Sequence, residues 1–239
     1  MIEPIKIVHL YPKEMNIYGD TGNRIVIEKR LSWRGIPFKS YLVGVGQNVP
    51  EDADFVIGGG GQDAAQGGIE KDLLNKASTL KKLADSGVVM LMICGMYQLF
   101  GKKFVTNEGK SIKGLGILDV ETIAGEGRII GNIVSTVPEM GEIVGYENHS
   151  GRTHLGDDAQ PFARVISGIG NEEAGELEGA RYKNVFGSYM HGPILSKNPH
   201  FADGLIKLAL ERRGIEISLK KLDDSITEKA HQLAKLRPR

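Results

Sequence analysis

The run Val88–Ile93 is the strongest constraint on this 239-residue chain, because six consecutive apolar residues lead directly into the only cysteine, Cys94. A short, continuously apolar run that begins after Gly87 is typical of a parallel-sheet strand buried on both faces. The segment Tyr97–Phe100 predicts a short helix, which Gly101 ends. The sequence therefore places Cys94 in a turn between a buried strand and a helix.

The same alternation of strand and helix extends through the N-terminal half. Strands are predicted at Ile5–Leu10, Phe38–Val45, Asp54–Ile57 and Val88–Ile93, and helices at Asn23–Arg34, Ile69–Ser86 and Tyr97–Phe100. This order is expected of an open parallel sheet covered by helices. We predict an α/β fold, a single three-layer domain with an open, mostly parallel sheet and helices on both faces.

The stretch from 114 to 186 has a different character, with short alternating apolar runs and many glycines. It predicts strands of the sheet's second half, in mixed or antiparallel arrangement. A closing helix is predicted at Ala202–Arg213 and a charged helix at Leu219–Leu236. We expect one domain over residues 1–213 and a charged helical tail over 214–239.

Composition argues against several classes of protein. Thirty Lys and Arg residues balance thirty Asp and Glu residues, so no nucleic-acid partner or acidic membrane surface is expected. A single cysteine cannot form an internal disulfide, which favours a reducing compartment. No signal peptide is evident, and no apolar stretch reaches the roughly 20 residues of a membrane span. We expect a soluble, cytoplasmic protein without direct membrane insertion.

The position of Cys94 makes it a candidate nucleophile. A sharp turn after a strand projects the side chain from the carboxyl edge of the sheet, where ligands of open α/β sheets bind. The free N–H groups and dipole of the following helix favour the reactive thiolate. A lone cysteine is otherwise usually a small core residue, so position alone leaves both interpretations open.

A nucleophilic cysteine requires a base, and His191 is the best candidate among six histidines. It ends a late predicted strand and is followed by Gly192, which indicates a loop at the same sheet edge. His149 and His154 compete with it, and their proximity to Asp157 and Asp158 raises the alternative of a metal site. These residues match no recognisable ligand set, so we predict no metal.

Four glycines, Gly58–Gly61, follow the predicted strand that ends at Ile57. Glycine lets the backbone approach a ligand closely and direct N–H groups at it. Beside Cys94, this loop and the Gly95 N–H are candidates for an oxyanion hole. The alternative is a flexible turn.

Three segments together resemble one family, the glutamine amidotransferases of the cobyric acid synthase type. They are Cys94–Gly101 (CGMYQLFG), Gly145–Thr153 (GYENHSGRT) and Gly187–Gly192 (GSYMHG), and in this order they cover most of residues 5–213. Within that family, the N-terminal run His9–Asn23, followed by GGGQD, is most similar to the glutaminase subunits of lipid II isoglutaminyl synthases.

The resemblance implies a class I glutamine amidotransferase-like fold and a glutaminase mechanism on L-glutamine. Cys94 is expected to attack the carboxamide, while His191 takes the thiol proton and passes it to the leaving ammonia. Hydrolysis of the γ-glutamyl thioester then gives glutamate. The N–H groups of Gly60 and Gly95 are expected to hold the oxyanion.

Two further residues are expected to shape the substrate pocket. Gln98, one helical turn beyond the nucleophile, would form part of the glutamine site. Arg128 is a candidate for binding the α-carboxylate, because guanidinium suits bidentate carboxylate binding. A solvated surface arginine is the alternative for Arg128.

The chain also departs from the wider class. Many class I relatives have glycine two residues before and two residues after the cysteine, where this chain has Met92 and Met96. Many also carry a glutamate two residues after the histidine, where this chain has Pro193. Either a Cys–His dyad suffices or another group orients His191, for which Glu147 is one candidate.

A glutaminase needs an ammonia acceptor and a synthetase. The only Gly-Lys-Ser run, Gly109–Ser111, lacks the earlier glycine and the buried strand of a phosphate-binding loop. We therefore expect no cofactor in this chain, with ATP and Mg²⁺ on a separate, Mur ligase-like partner in a heterodimer. The resemblance implies that this partner amidates the D-glutamate α-carboxylate of lipid II.

Three other functions stay open. The same glutaminase could serve another synthetase, such as one that amidates a corrinoid. The chain could be a cysteine hydrolase or peptidase that ignores glutamine. It could also be a non-catalytic regulatory subunit derived from an amidotransferase.

Overall fold

The computed structural model describes residues 3–173 and 175–237, which contain thirteen strands, six α-helices and a 3-10 helix. The strands are β1 (Ile5–Leu10), β2 (Phe38–Val43), β3 (Phe55–Gly58), β4 (Val89–Ile93), β5 (Lys103–Val105), β6 (Ser111–Lys113), β7 (Val120–Val137), β8 (Gly141–Leu155), β9 (Ala163–Ser167), β10 (Leu177–Glu178), β11 (Ala180–Tyr182), β12 (Val185–Ser188) and β13 (Met190–His191). The helices are α1 (Thr21–Trp33), α2 (Asp63–Asn75), α3 (Ala77–Asp85), α4 (Gly95–Phe100), α5 (Pro199–Arg212) and α6 (Ser225–Lys235), with the 3-10 helix at Ile194–Lys197.

The main sheet has six strands in the order β11-β12-β4-β3-β1-β2. All neighbours are parallel except β11, which runs antiparallel to β12. Every residue of β4 is buried, as its continuously apolar sequence predicted. The predicted α/β class with a mostly parallel sheet is confirmed.

The prediction that the glycine-rich second half completes this sheet is wrong for most of its strands. Only β11 and β12 join the main sheet, while β5–β10 and β13 form a separate seven-stranded sheet around the long β7–β8 hairpin. β7 and β8 are eighteen and fifteen residues long, whereas the main-sheet strands have six residues or fewer, and the two long strands pair mainly with each other. β7 also pairs with β5 and β9 and so builds a second sheet.

Two helix predictions also need correction. The predicted helix Ile69–Ser86 is two helices, α2 and α3, that meet at Lys76. The Lys76 ammonium is buried at this junction, where it forms an ion pair with Asp72 and lies 5.4 Å from the centroid of the Tyr11 ring. The tail helix starts at Ser225, six residues later than predicted at Leu219.

The tail is attached to the rest of the chain by buried polar contacts. The Arg30 guanidinium of α1 binds both Asp203 of α5, at 2.6 Å, and Asp224 just before α6, at 2.7 Å. In α6 itself, Nδ1 of His231 lies 3.0 Å from Oδ1 of Asn198. The division into a domain over 1–213 and a tail over 214–239 stays a prediction.

Within residues 3–173 and 175–237, no helix has both the length and the apolar character required to cross a bilayer.

An aromatic cluster holds α5 against the strand that leads to His191. The Phe201 ring lies 5.5 Å from Phe162 and 6.1 Å from Phe186 of β12, measured between centroids, and all three side chains are fully buried. The cluster therefore fixes the position of β12 relative to the helical layer.

We expect Phe201→Ala to lower the free energy of unfolding by about 3–5 kcal/mol, because it removes a buried ring and leaves a cavity. Ile226→Ala, at a side chain that is 85% exposed, is the control and should change it by less than about 0.5 kcal/mol. Urea unfolding followed by circular dichroism measures both. Equal effects of the two substitutions would contradict the packing described here.

Candidate active site

The site lies where four parallel strands end at one edge of the main sheet. β1, β3, β4 and β12 are parallel neighbours in register, with Gly58 opposite Met92 and Ser188 opposite Ile93. The segments that follow these strands therefore converge, as expected for ligand sites of open α/β sheets. They bring together residues from four distant parts of the sequence.

Cys94 occupies the sharp turn predicted between β4 and α4. Its backbone has φ 52° and ψ −106°, a conformation that costs energy for a non-glycine residue and is concentrated at functional sites. Its N–H donates to the Ser188 carbonyl at 2.8 Å, and its carbonyl accepts from the Gln98 N–H at 3.0 Å. The thiol is free and 7% exposed.

The structure explains how Met92 and Met96 fit beside this turn. Both are fully buried, and they pack against the backbone of Gly58 at the end of β3. A Cβ at position 58 would lie 2.8 Å from Met96 Cγ and 3.1 Å from Met92 Sδ. Gly58 on the neighbouring strand therefore leaves the space that the two methionine side chains fill.

His191 is paired with Asp20, a residue that the sequence analysis missed. Nδ1 of His191 lies 3.3 Å from the carboxylate, and the two side chains are 2% and 0% exposed. The Tyr18 ring packs against the imidazole with 4.3 Å between centroids. This leaves Nε2 of His191 for Cys94.

The pKa of His191 is governed by these neighbours. Burial lowers it, but the Coulombic interaction with Cys94, the hydrogen bond that Nδ1 donates to Asp20 and the hydrogen bond with the Cys94 side chain together outweigh burial and raise it to about 10. The imidazole is therefore cationic at neutral pH.

Glu147, which the sequence offered as an orienting group, is used elsewhere. Its carboxylate accepts the N–H groups of Ile169 at 3.0 Å and Gly170 at 2.8 Å. Asp20 holds His191 instead, although it stands 171 residues earlier in the chain. The only sequence signal for Asp20 was its place in the N-terminal run His9–Asn23 that carries the family resemblance.

The glycine loop adjoins the nucleophile and the base. A Cβ at Gly60 would lie 2.9 Å from Cε1 of His191 and 3.4 Å from Cβ of Cys94. The Gly60 N–H is donated to Asp20 at 2.8 Å, so it can meet an oxyanion only by leaving that carboxylate. The Gly61 nitrogen lies 3.0 Å from the position of a Cβ on Gly95. The oxyanion role of Gly60 and Gly95 stays a prediction.

A pocket of about 540 Å³ opens beside Cys94. Both substrate-binding candidates line it, together with Gln66 and His149. The Gln98 amide is buried and spans the pocket wall, because its Nε2 donates to the Tyr189 hydroxyl at 3.2 Å and its Oε1 accepts from Gln66 at 2.9 Å.

Arg128 lies at the rim of this pocket and is exposed to solvent. Its Nε donates to the Asn148 side chain at 2.8 Å, and its Nη2 donates to the Asn148 carbonyl at 2.9 Å and to the Tyr18 hydroxyl at 3.3 Å. The guanidinium is thus held at the rim of the pocket. A carboxylate at the rim would meet a fixed positive charge.

The two histidines that the sequence offered as alternatives to His191 lie in different environments. His149 is buried in the pocket and stacks on Tyr189 with 3.6 Å between centroids, whereas the half-exposed His154 lies 3.4 Å from Glu172 on the surface. Among residues 3–173 and 175–237, no group of three or more His, Cys, Asp or Glu side chains is arranged to hold a metal ion.

Comparison with known proteins finds similar sequences over most of the chain. Residues 6–199 match the family model of the CobB/CobQ-like glutamine amidotransferase domain. The lipid II isoglutaminyl synthase (glutamine-hydrolyzing) subunit GatD of Staphylococcus aureus is 36% identical over 230 residues, which cover 96% of this chain and 94% of the relative. The same subunit of Streptococcus pneumoniae is 38% identical over 228 residues, 94% of this chain and 88% of the relative.

A solved structure supports the fold. A glutamine amidotransferase from Thermotoga maritima superposes with a TM-score of 0.54 at 15% identity, and the match covers 98% of this chain and 94% of that one.

Gly60→Ala should lower glutamine hydrolysis about 100-fold, because the added methyl group would displace the His191 ring that Asp20 holds in place. Gly68→Ala is a matched control, since a Cβ at Gly68 meets no atom within 4 Å. Steady-state release of glutamate measures both. Full activity of Gly60→Ala would contradict the close approach of the loop to His191.

Asp20→Asn should move the alkaline limit of kcat/KM to lower pH. The Asp20 carboxylate stabilises the imidazolium, so its neutral replacement lowers the pKa of His191 from about 10 and the ring loses its proton earlier as pH rises. A pH–rate profile from pH 6 to about 11 checks this. Asp157→Asn, at an exposed carboxylate, should leave the profile unchanged. An unshifted profile for Asp20→Asn would show that Asp20 does not tune the base.

Proposed function

The chain belongs to the CobB/CobQ-like glutamine amidotransferase family, and from this membership we propose that Cys94 and His191 hydrolyse L-glutamine to glutamate and ammonia. The observation that carries the proposal is the buried arrangement of a strained cysteine, a cationic histidine and Asp20 at one sheet edge. Glutamine-hydrolysing enzymes need such a nucleophile and a group that protonates the departing ammonia.

The geometry supports a mechanism in two stages. The Cys94 thiolate attacks the glutamine carboxamide carbon, and the tetrahedral oxyanion forms beside the Gly95 N–H. The His191 imidazolium donates its Nε2 proton to the nitrogen, so that the C–N bond breaks and ammonia leaves with a γ-glutamyl thioester behind. His191, now neutral, takes a proton from water, whose oxygen attacks the thioester and releases glutamate and the thiolate.

Substrate orientation follows from the charge distribution of the pocket. Arg128 at the exposed rim would bind the α-carboxylate of glutamine, and the buried wall that contains Gln98 would surround the aliphatic part of the side chain. The carboxamide then points inward to Cys94. A substrate without an α-carboxylate would lose the contact that fixes its depth in the pocket.

The ammonia acceptor is inferred from the relatives. Near-complete alignment with two subunits of lipid II isoglutaminyl synthase supports the same role for this chain, in which ammonia passes to a synthetase subunit. We place ATP and Mg²⁺ on that Mur ligase-like partner, in a heterodimer that amidates the D-glutamate α-carboxylate of lipid II. A cytoplasmic location would keep the Cys94 thiol reduced.

Glutamate release from glutamine by the purified chain, alone and with the candidate ligase, tests the proposal. Cys94→Ser and His191→Ala should each lower the rate by at least about 1000-fold, because they remove the nucleophile and the proton donor of one unit. His154→Ala, at a half-exposed histidine, should retain the activity of the unsubstituted chain.

The identity of the ammonia acceptor is tested by adding ATP, Mg²⁺ and lipid II to the same mixture. Transfer of ¹⁵N from amide-labelled glutamine into the lipid II stem peptide, detected by mass spectrometry, is the expected result. Glutaminase activity without transfer would direct the assignment to another synthetase. Folded protein that hydrolyses no glutamine with or without the ligase would overturn the catalytic assignment.

A further inference from the structure

His149 presents an unused hydrogen-bond acceptor in the pocket that contains Cys94. Its Nδ1 lies 2.8 Å from the Gly151 carbonyl oxygen, which can only accept a hydrogen bond, so Nδ1 carries the ring proton. Nε2 therefore carries a lone pair. The side chain is 2% exposed, and Nε2 has no partner among residues 3–173 and 175–237.

The surroundings keep this ring neutral. Burial lowers the pKa of His149 to about 3, with further lowering by the positive charges of Arg152, His191 and Arg128, against a smaller opposing effect of the Gly151 carbonyl. The ring is also stacked on Tyr189 with only 5° between the planes, which fixes its orientation. Nε2 is thus an acceptor at every pH at which the protein would work.

Gln66 supplies a second acceptor to the same pocket. Its Nε2 donates to Oε1 of Gln98 at 2.9 Å and to the Gly61 carbonyl at 3.4 Å, both of which accept, so the amide orientation is fixed. Its Oε1 is buried and has no partner in the described part of the chain. The hydrogen bonds from Gln66 to Gln98 and from Gln98 to Tyr189 connect the two acceptors across the pocket wall.

Two buried acceptors without donors are costly unless a ligand supplies the donors. The glutamine carboxamide carries two N–H donors on one nitrogen. With the α-carboxylate at the exposed Arg128, the carboxamide occupies the buried end of the pocket that Cys94, Gln66 and His149 line. The number of carboxamide donors therefore matches the number of unpartnered acceptors that line the pocket.

We infer that Nε2 of His149, together with Oε1 of Gln66, recognises the carboxamide N–H groups and makes the site select glutamine over glutamate. This inference rests on the proposed glutaminase function. Glutamate has a carboxylate at this position, with no donor for either acceptor and a negative charge beside both. Sites that hydrogen-bond a substrate N–H reject analogues without it far more strongly than apolar sites do.

The same pair would favour product release. Loss of ammonia converts the recognised amide into a thioester, and hydrolysis then gives a carboxylate, so the contacts that held the substrate become repulsive in the product. Departure of ammonia removes both donors at once, and the acceptors no longer stabilise the bound state.

Equilibrium binding to Cys94→Ser protein tests the inference without turnover. Dissociation constants for L-glutamine and L-glutamate would be measured by calorimetry for this parent and for the added substitutions His149→Phe, His149→Gln and Gln66→Met. His149→Phe keeps the stacked ring and removes the acceptor, whereas His149→Gln keeps an acceptor oxygen. His154→Phe is the control at an exposed histidine of the same strand.

The measured quantity is the Kd for glutamate divided by the Kd for glutamine. His149→Phe and Gln66→Met should each lower this ratio at least about tenfold, and His149→Gln should restore most of it. A purely structural role of His149 would weaken both ligands equally, and an unchanged ratio in both variants overturns the inference. A parent that binds no glutamine would instead overturn the proposed function.

Discussion

The Asp20 carboxylate is the interaction on which the arrangement of the site depends. It is fully buried, and it binds both Nδ1 of His191 and the N–H of Gly60. The same group therefore fixes the base and the glycine loop beside the nucleophile. A buried carboxylate with these partners is stable only when both remain in place, so base and loop cannot move independently.

Glycines on the two strands beside β4 leave room for the residues that pack around the strained turn at Cys94. Gly58 leaves room for Met96, and Gly187 leaves room for the Tyr97 ring, whose Cδ2 would lie 2.2 Å from a Cβ at that position. Both glycines belong to the strands on either side of β4. The positive φ of Cys94 is thus held by packing across three strands, which is how backbone strain persists at functional sites.

The sequence indicated the candidate reactive residues where each of them directly follows or ends a recognisable strand pattern. The apolar run of β4 identified both the central strand and Cys94, and the late strand with its glycine identified His191. Asp20 could not be found in this way, because it lies 171 residues from His191 and no local hydrophobic pattern indicates that the two side chains meet. The second sheet was missed for a similar reason. Alternation of apolar and polar residues in β7 and β8 predicts which side chains share a face of the sheet, but it does not predict which strands pair with each other.

The structure also separates two histidines that the sequence could not distinguish by residue type. Both are buried, yet the pKa of His191 is raised to about 10 and that of His149 is lowered to about 3. Burial lowers both pKa values, so the difference comes from partners: His191 interacts with Cys94 and the Asp20 carboxylate, whereas His149 faces a backbone carbonyl and cations. One ring is therefore fitted to donate a proton and the other to accept a hydrogen bond. A site that must protonate a leaving amine while recognising its N–H groups requires both, and here Cys94 and Asp20 beside one ring, with cations near the other, produce the difference.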